Sequence, residues 1–203
     1  TGEMTFWDHL DVLRRSIVRC VVVLLAAAIG LFAFKDFLFD GLILAPAKEA
    51  FFLYKWIGAD FSLNLVNLEV TAQFMIHMKM AFLCALVLTF PYLIYKVWDF
   101  ISPALYENER RAVSKAFIFA SCLFYIGVVV GYSLIFPLML NFFADYQVSE
   151  SVPNTFSFSS YISLLTSMVL TFGIVFEFPT VAALLSSLGI LTRETMQKYR
   201  RHA

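Results

Sequence analysis

Polar and apolar positions divide the chain into four long apolar runs joined by three connections of unlike character. Ahead of the first run, Thr5 is a cap residue with Asp8 three positions on, and Phe6, Leu10, Leu13 and Ile17 recur at helical spacing. Asp8, His9, Asp11, Arg14 and Arg15 take the other side, a pattern that predicts a short amphipathic helix on a membrane surface. Ser16 to Phe34 is long enough to cross a hydrocarbon core of ~30 Å, with Arg19 placed to snorkel toward head groups. The connection from Asp36 to Glu69 is itself greasy, carrying Phe37, Phe39, Phe51, Phe52, Tyr54 and Trp56. No run within it is long enough to cross, so interfacial helical pieces are predicted.

Thr71 to Trp98 exceeds the ~20 residues of a perpendicular crossing, which predicts a tilted or protruding helix, kinked at Pro91. His77 and Lys79, near its start, are expected among head groups. Ala112 to Leu140 contains Gly127 and Gly131, spaced to let a second helix approach, preferably one of the same chain, and Pro137 bends its far end. Tyr161 to Leu188 carries Glu177 beside Pro179, and Ser163, Thr166, Gly173, Glu177 and Thr180 form a polar stripe interrupted by Leu170. The pattern therefore predicts an all-α, polytopic helical membrane protein. It forms a single integral membrane domain over residues 1–203, with spans at about 16–34, 71–98, 112–140 and 161–188.

Composition agrees: 61% of residues are hydrophobic and the mean hydropathy is +0.79, more than a soluble core requires. A formal net charge of zero argues against nucleic acid as a partner. The first run outlasts a signal-peptide core and lacks a small-residue cleavage site, so it is expected to stay as an anchor. Arg14, Arg15, Arg19, Lys96, Arg110, Arg111, Lys115, Arg193, Lys198, Arg200 and Arg201 fall on one side of the four runs. Only Lys35, Lys48, Lys55 and Lys79 fall on or near the other, which predicts cytoplasmic termini and a cytoplasmic central loop. No internal repeat supports an inverted-repeat transporter.

Glu177 is the sharpest anomaly, because a carboxyl at mid-membrane costs about 2.5–3.5 kcal/mol on insertion scales. Its readings are a protonated acid bonding a neighbouring helix, a polar cavity that thins the membrane, a docking site for a partner helix, or a proton relay. No further acid or histidine lies at that depth, which favours cavity or docking. A proton-coupled or small-solute transporter using Glu177 is the alternative class. In the central loop, Glu107 and Glu109 can accept a guanidinium in two parallel hydrogen bonds, with Trp98, Phe100 and Tyr106 as apolar faces. The plainer reading pairs those acids with water or with Arg110 and Arg111. Cys20, Cys84 and Cys122 sit singly within spans, and His9, His77 and His202 are scattered. With no HExxH, GxSxG or metal-ligand cluster, no catalytic site, metal or cofactor is expected.

The loop Trp98-Asp99-Phe100 to Pro103-Ala104-Leu105-Tyr106-Glu107-Asn108-Glu109-Arg110-Arg111 resembles that of the twin-arginine translocase C subunit family. His9-Leu10-Asp11-Val12-Leu13-Arg14 is similar to its HLxELR motif, Phe90-Pro91 with Tyr95 and Trp98 to its second helix, and Phe172 to Pro179 to its fourth. The resemblance implies a receptor subunit that helps move folded proteins across the bacterial cytoplasmic (inner) membrane. It implies signal-peptide recognition through Glu109, Phe100 and the acid of the N-terminal motif, with Arg14 beside it, Glu107 as an accessory charge and Arg110 and Arg111 as topology anchors. Glu177 matches the family's intramembrane glutamate. Implied partners are twin-arginine signal peptides, the single-span Tat A and Tat B subunits, membrane lipids and other copies of the chain. The chain departs from the family pattern in placing Asp11 one residue ahead of the motif's acid, where Val12 stands, a rotation of about 100° on a helix. It also has Gln73 where the family often has Glu. The family has six spans, so a four-span chain whose Met4 follows Thr1-Gly2-Glu3 is expected to be a truncated form.

Overall fold

Inside hydrocarbon every backbone N–H and C=O needs a partner within the protein, and the apolar runs answer by becoming helix. The computed structural model describes residues 6–57, 63–101, 107–149, 151 and 154–187. Its helices are α1 (Phe6–Ala33), α2 (Phe52–Ile57), α3 (Ala72–Ile101), α4 (Glu107–Val130), α5 (Phe136–Asp145) and α6 (Phe158–Ser187). Four stretches are long and apolar enough to cross a membrane: Leu10–Ala33, Ala72–Phe100, Ala116–Asp145 and Phe158–Ala183. The third runs through α4 and α5, joined by a wide π turn over Gly131–Ile135 ahead of Pro137.

The surface helix expected before the first span is the opening of α1, with no break between them. From Phe6 to Ala33 there is no proline and only Gly30, and extending an existing helix costs less than ending it and nucleating another. The greasy connection also departs from expectation, since it is folded inward. A π turn over Phe37–Ile43, a 3-10 turn over Ala45–Ala47 and α2 bring Leu38, Ile43, Phe51, Leu53 and Tyr54 into one core with Met80, Phe136 and Tyr161. Two short parallel strands, β1 (Leu65–Val66) and β2 (Phe156–Ser157), join this connection to the one before α6.

Two helix pairings carry the bundle, α1 on α3 and α4 on α6. The second depends on glycine. A Cβ at Gly127 would lie 2.4 Å from the Phe172 carbonyl oxygen, and one at Gly131 would lie 2.9 Å from that of Met168. The GxxxG spacing thus seats a helix of the same chain.

Tyrosine hydroxyls repair the places where the backbone ladder breaks. The π and 3-10 turns leave terminal carbonyls without helical donors. Tyr161 Oη donates to Ile43 O at 2.7 Å, Tyr132 Oη to Leu42 O, and Tyr54 Oη to Pro46 O at 2.8 Å. Burial pushes the Tyr54 hydroxyl far above its usual ionisation range, which keeps it a donor. Pro91 has no N–H for Val87 O, four residues back, and Tyr125 Oη from α4 donates there at 3.1 Å. Replacing Tyr161 by Phe would strand the Ile43 carbonyl. Denaturant unfolding of the purified chain in mixed micelles is expected to show a loss of about 1–3 kcal/mol.

Candidate functional site

The order of helices gathers the predicted polar residues at one end of the bundle. There α1 begins with Asp11 and Arg14, α3 ends with Phe100, and α4 begins with Glu107 and Glu109. Asp11 and Arg14 are exposed, and with Arg15, Val18 and Arg19 they border a shallow concavity of about 470 Å³. Among the described residues none of these charges has an ion-pair partner. Phe100 is half-buried in the last turn of α3. Glu107 and Glu109 lie in the first turn of α4, and their side chains fall outside the described residues, as do those of Arg110 and Arg111.

Local packing sets the angle between α3 and α4 at this end. Trp98 meets Phe117 with ring centroids 5.3 Å apart, and deeper in the bundle Phe90 stacks on Phe124 at 3.6 Å. Lys96 pairs with Asp99 at 3.3 Å and lies over the rings of Tyr95 and Tyr92 at 5.3 and 5.9 Å. Its charge is thus engaged within α3, an exposed arrangement worth only a few tenths of a kcal/mol.

Glu177 occupies a second position, on the α4–α6 seam. It lies one helical turn beyond Gly173, where a Cβ would come within 2.9 Å of the Phe124 ring, and its carboxyl lies beside the Phe124 backbone. Counted along α6 it is ten residues, or ~15 Å, from Ser187. Glu177 Oε1 and Thr180 Oγ1 are buried with no hydrogen-bond partner among the described residues. The rest of the expected stripe does not join it: Thr166 bonds Ile162 O at 2.7 Å in its own helix, Ser163 is exposed, and Gly173 is covered by Phe124. A polar spot on the seam replaces a path through the membrane.

Sequence reasoning placed His77 among head groups, whereas the structure packs it between aromatic rings. It stacks on Phe32 at 3.9 Å and meets Phe39 edge-on at 5.4 Å, with Nε2 buried and unpartnered among the described residues. The tyrosine repairs and the Trp98–Phe117 contact were also missed. For Tyr125, the loss of a donor at Pro91 was the available signal.

The chain is similar to known proteins over nearly its whole length. The family model described as TatC, Sec-independent protein translocase protein, matches residues 8–203. A Sec-independent protein translocase protein TatC of Blattabacterium sp. subsp. Periplaneta americana is 32% identical over 217 residues, covering all of this chain and 82% of the relative. That of Escherichia coli strain K12 is 32% identical over 192 residues, covering 95% of this chain and 70% of its own length. The crystal structure of a twin-arginine translocase receptor, TatC in DDM, superposes with a TM-score of 0.77 at 26% identity, covering 96% of this chain and 82% of that one.

A carboxyl or hydroxyl oxygen that is buried without a partner weakens the fold, so Glu177 Oε1 and Thr180 Oγ1 are expected to be dispensable for stability. Thr180→Val should raise the unfolding free energy in micelles by about 1 kcal/mol, and Glu177→Met should leave it unchanged or higher. A drop in either variant would assign that group to holding α6 against α4.

Proposed function

The chain belongs to the TatC family of Sec-independent protein translocase proteins, and from that membership we propose that it is the subunit that receives twin-arginine signal peptides. It is a multi-pass helical membrane protein and a core subunit of the Tat translocase. The finer reading is that Glu109 and Phe100, with Asp11 and Arg14 on α1 and Glu107 as an accessory charge, form the recognition patch. The observation that carries it is the convergence at one end of the start of α1, the end of α3 and the start of α4.

The chemistry suits the ligand. A carboxylate accepts the planar guanidinium through two parallel bonds, whereas a lysine ammonium offers one compact point charge. An aromatic ring beside it offers a face for the same cation or for the peptide's apolar part. The basic residues group eleven on this side and four on or near the other, which supports a cytoplasmic patch in the bacterial inner membrane. The chain acts as one membrane domain alongside Tat A, Tat B and further copies of itself. For Glu177, the unpartnered oxygen on the α4–α6 seam supports docking of a partner helix or a polar, membrane-thinning cavity.

Photo-crosslinking of a twin-arginine signal peptide to the reconstituted chain tests the patch. Glu109→Gln is expected to reduce crosslinking at least tenfold, as would a Lys-Lys signal, matching ~1.4 kcal/mol or more for a bidentate charged contact. Undiminished crosslinking would remove Glu109 from the patch. Glu177→Ala is expected to abolish export of a folded reporter in cells while leaving signal crosslinking intact, and retained export would leave Glu177 no role in transport.

A further inference from the structure

We propose that a groove walled by α1, α3, α4, α6 and the Phe37–Ile43 turn is a binding site for one acyl chain of a membrane phospholipid. The groove encloses about 360 Å³. Its floor is made of Leu38, Met80 and Leu165, all buried, and its mouth of Phe37, Leu88 and Val129, which are 71%, 62% and 59% exposed. It therefore opens sideways into the bilayer.

Its chemistry selects an apolar guest. Tyr125 and Tyr132 line the groove, but their hydroxyls are committed to the Val87 and Leu42 carbonyls. The Cys84 thiol is the strongest donor left, and a thiol is weak. Water needs two to four polar partners and finds none here. Size then decides among apolar guests. Sixteen residues line the groove, fewer than the ~20–30 a side of a stable protein contact. A second copy thus finds too little surface here, whereas an acyl chain is slender and is the solvent at this depth. Left empty, the walls would lose their dispersion contacts.

A head group is accommodated as well. Lys35 and Asp36 are exposed and directly precede Phe37 of the mouth in the chain, so a cation for a lipid phosphate and an anion for an ammonium lie close to it in sequence. The bound chain would fill the angle between α1, which packs chiefly on α3, and the rest of the bundle.

The test reconstitutes the full chain in phosphatidylethanolamine–phosphatidylglycerol vesicles containing a trace of phospholipid with a diazirine along one acyl chain. After irradiation, mass spectrometry maps the adducts. Adducts at residues 84–88 and 128–132 are expected to be about tenfold denser than on the exposed α1 face at residues 18–22. Val129→Trp, at the lipid-facing mouth, should bring them down to the α1 level without lowering the melting temperature. Leu88→Trp repeats the test should Val129→Trp fail to fold. Equal labelling of groove and α1 face, labelling that survives a filled mouth, or groove residues crosslinking to a second chain would each overturn the proposal.

Discussion

A buried carbonyl that loses its helical donor has no water to turn to, and this constraint governs where the structure may be irregular. At three of the chain's departures from straight helix a tyrosine from elsewhere supplies the donor: Tyr161 and Tyr132 at Phe37–Ile43, Tyr54 at Ala45–Ala47 and Tyr125 near Pro91. At a fourth, the π turn over Gly131–Ile135, Ser133 Oγ donates to Val129 O. Three of these bonds cross between elements far apart in sequence, so the donors that rescue the backbone also fasten α4 and α6 to α3 and to the inward-folded connection. An apolar residue in the same place would fill space but leave a buried acceptor, at a cost of about 1–3 kcal/mol.

Glycine sets the second constraint. Where two helices approach until a Cβ would meet a facing carbonyl at 2.4 Å, no room remains for water between them. A polar side chain on that seam must be satisfied by the protein, and Glu177 Oε1 and Thr180 Oγ1 are not, among the described residues. Tight packing and an acid left with one unpartnered oxygen beside the Phe124 backbone are thus two consequences of one seam. The unpartnered oxygen has a cost that the seam does not offset, which is the physical ground for proposing that it serves a partner arriving during transport.

Much of this was legible in the sequence, for reasons that differ by residue. Four apolar runs suffice for four crossing helices, since only helices and closed barrels can cross. The Gly127 and Gly131 spacing pointed correctly to close approach, and the location of Glu177 followed from its run. The burial of Leu38, Ile43, Phe51, Leu53 and Tyr54 was not legible. A stretch rich in aromatics suits both a membrane interface and a core, and only long-range partners such as Tyr161 decide between them. The ring contacts of His77 were not legible either, because its neighbours Phe32 and Phe39 lie on other elements. The stripe from Ser163 to Thr180 was over-read, as periodicity cannot tell that Thr166 bonds its own helix. For the proposed patch, helix order accounts for the shared end, while the side-chain geometry at Glu109 lies beyond the described residues.

The proposed receptor role sets two demands against each other. On that role, arginines and lysines at one end would hold the chain's orientation, yet they would repel a ligand whose identity is two arginines. At physiological ionic strength the Debye length is ~8 Å, so the repulsion of Arg14, Arg15 and Arg19 is felt chiefly near α1, and Lys96 is already engaged with Asp99 and two rings. What must overcome the remainder is short-ranged and directional. A paired N–H···O⁻ contact does this where a diffuse negative field would not, because it strengthens steeply at contact while the background stays screened. The same logic explains why the ligand's cations should be arginines. A lysine would meet equal repulsion and gain only a single point contact, so a basic platform discriminates in favour of the one side chain that binds a carboxylate with two bonds.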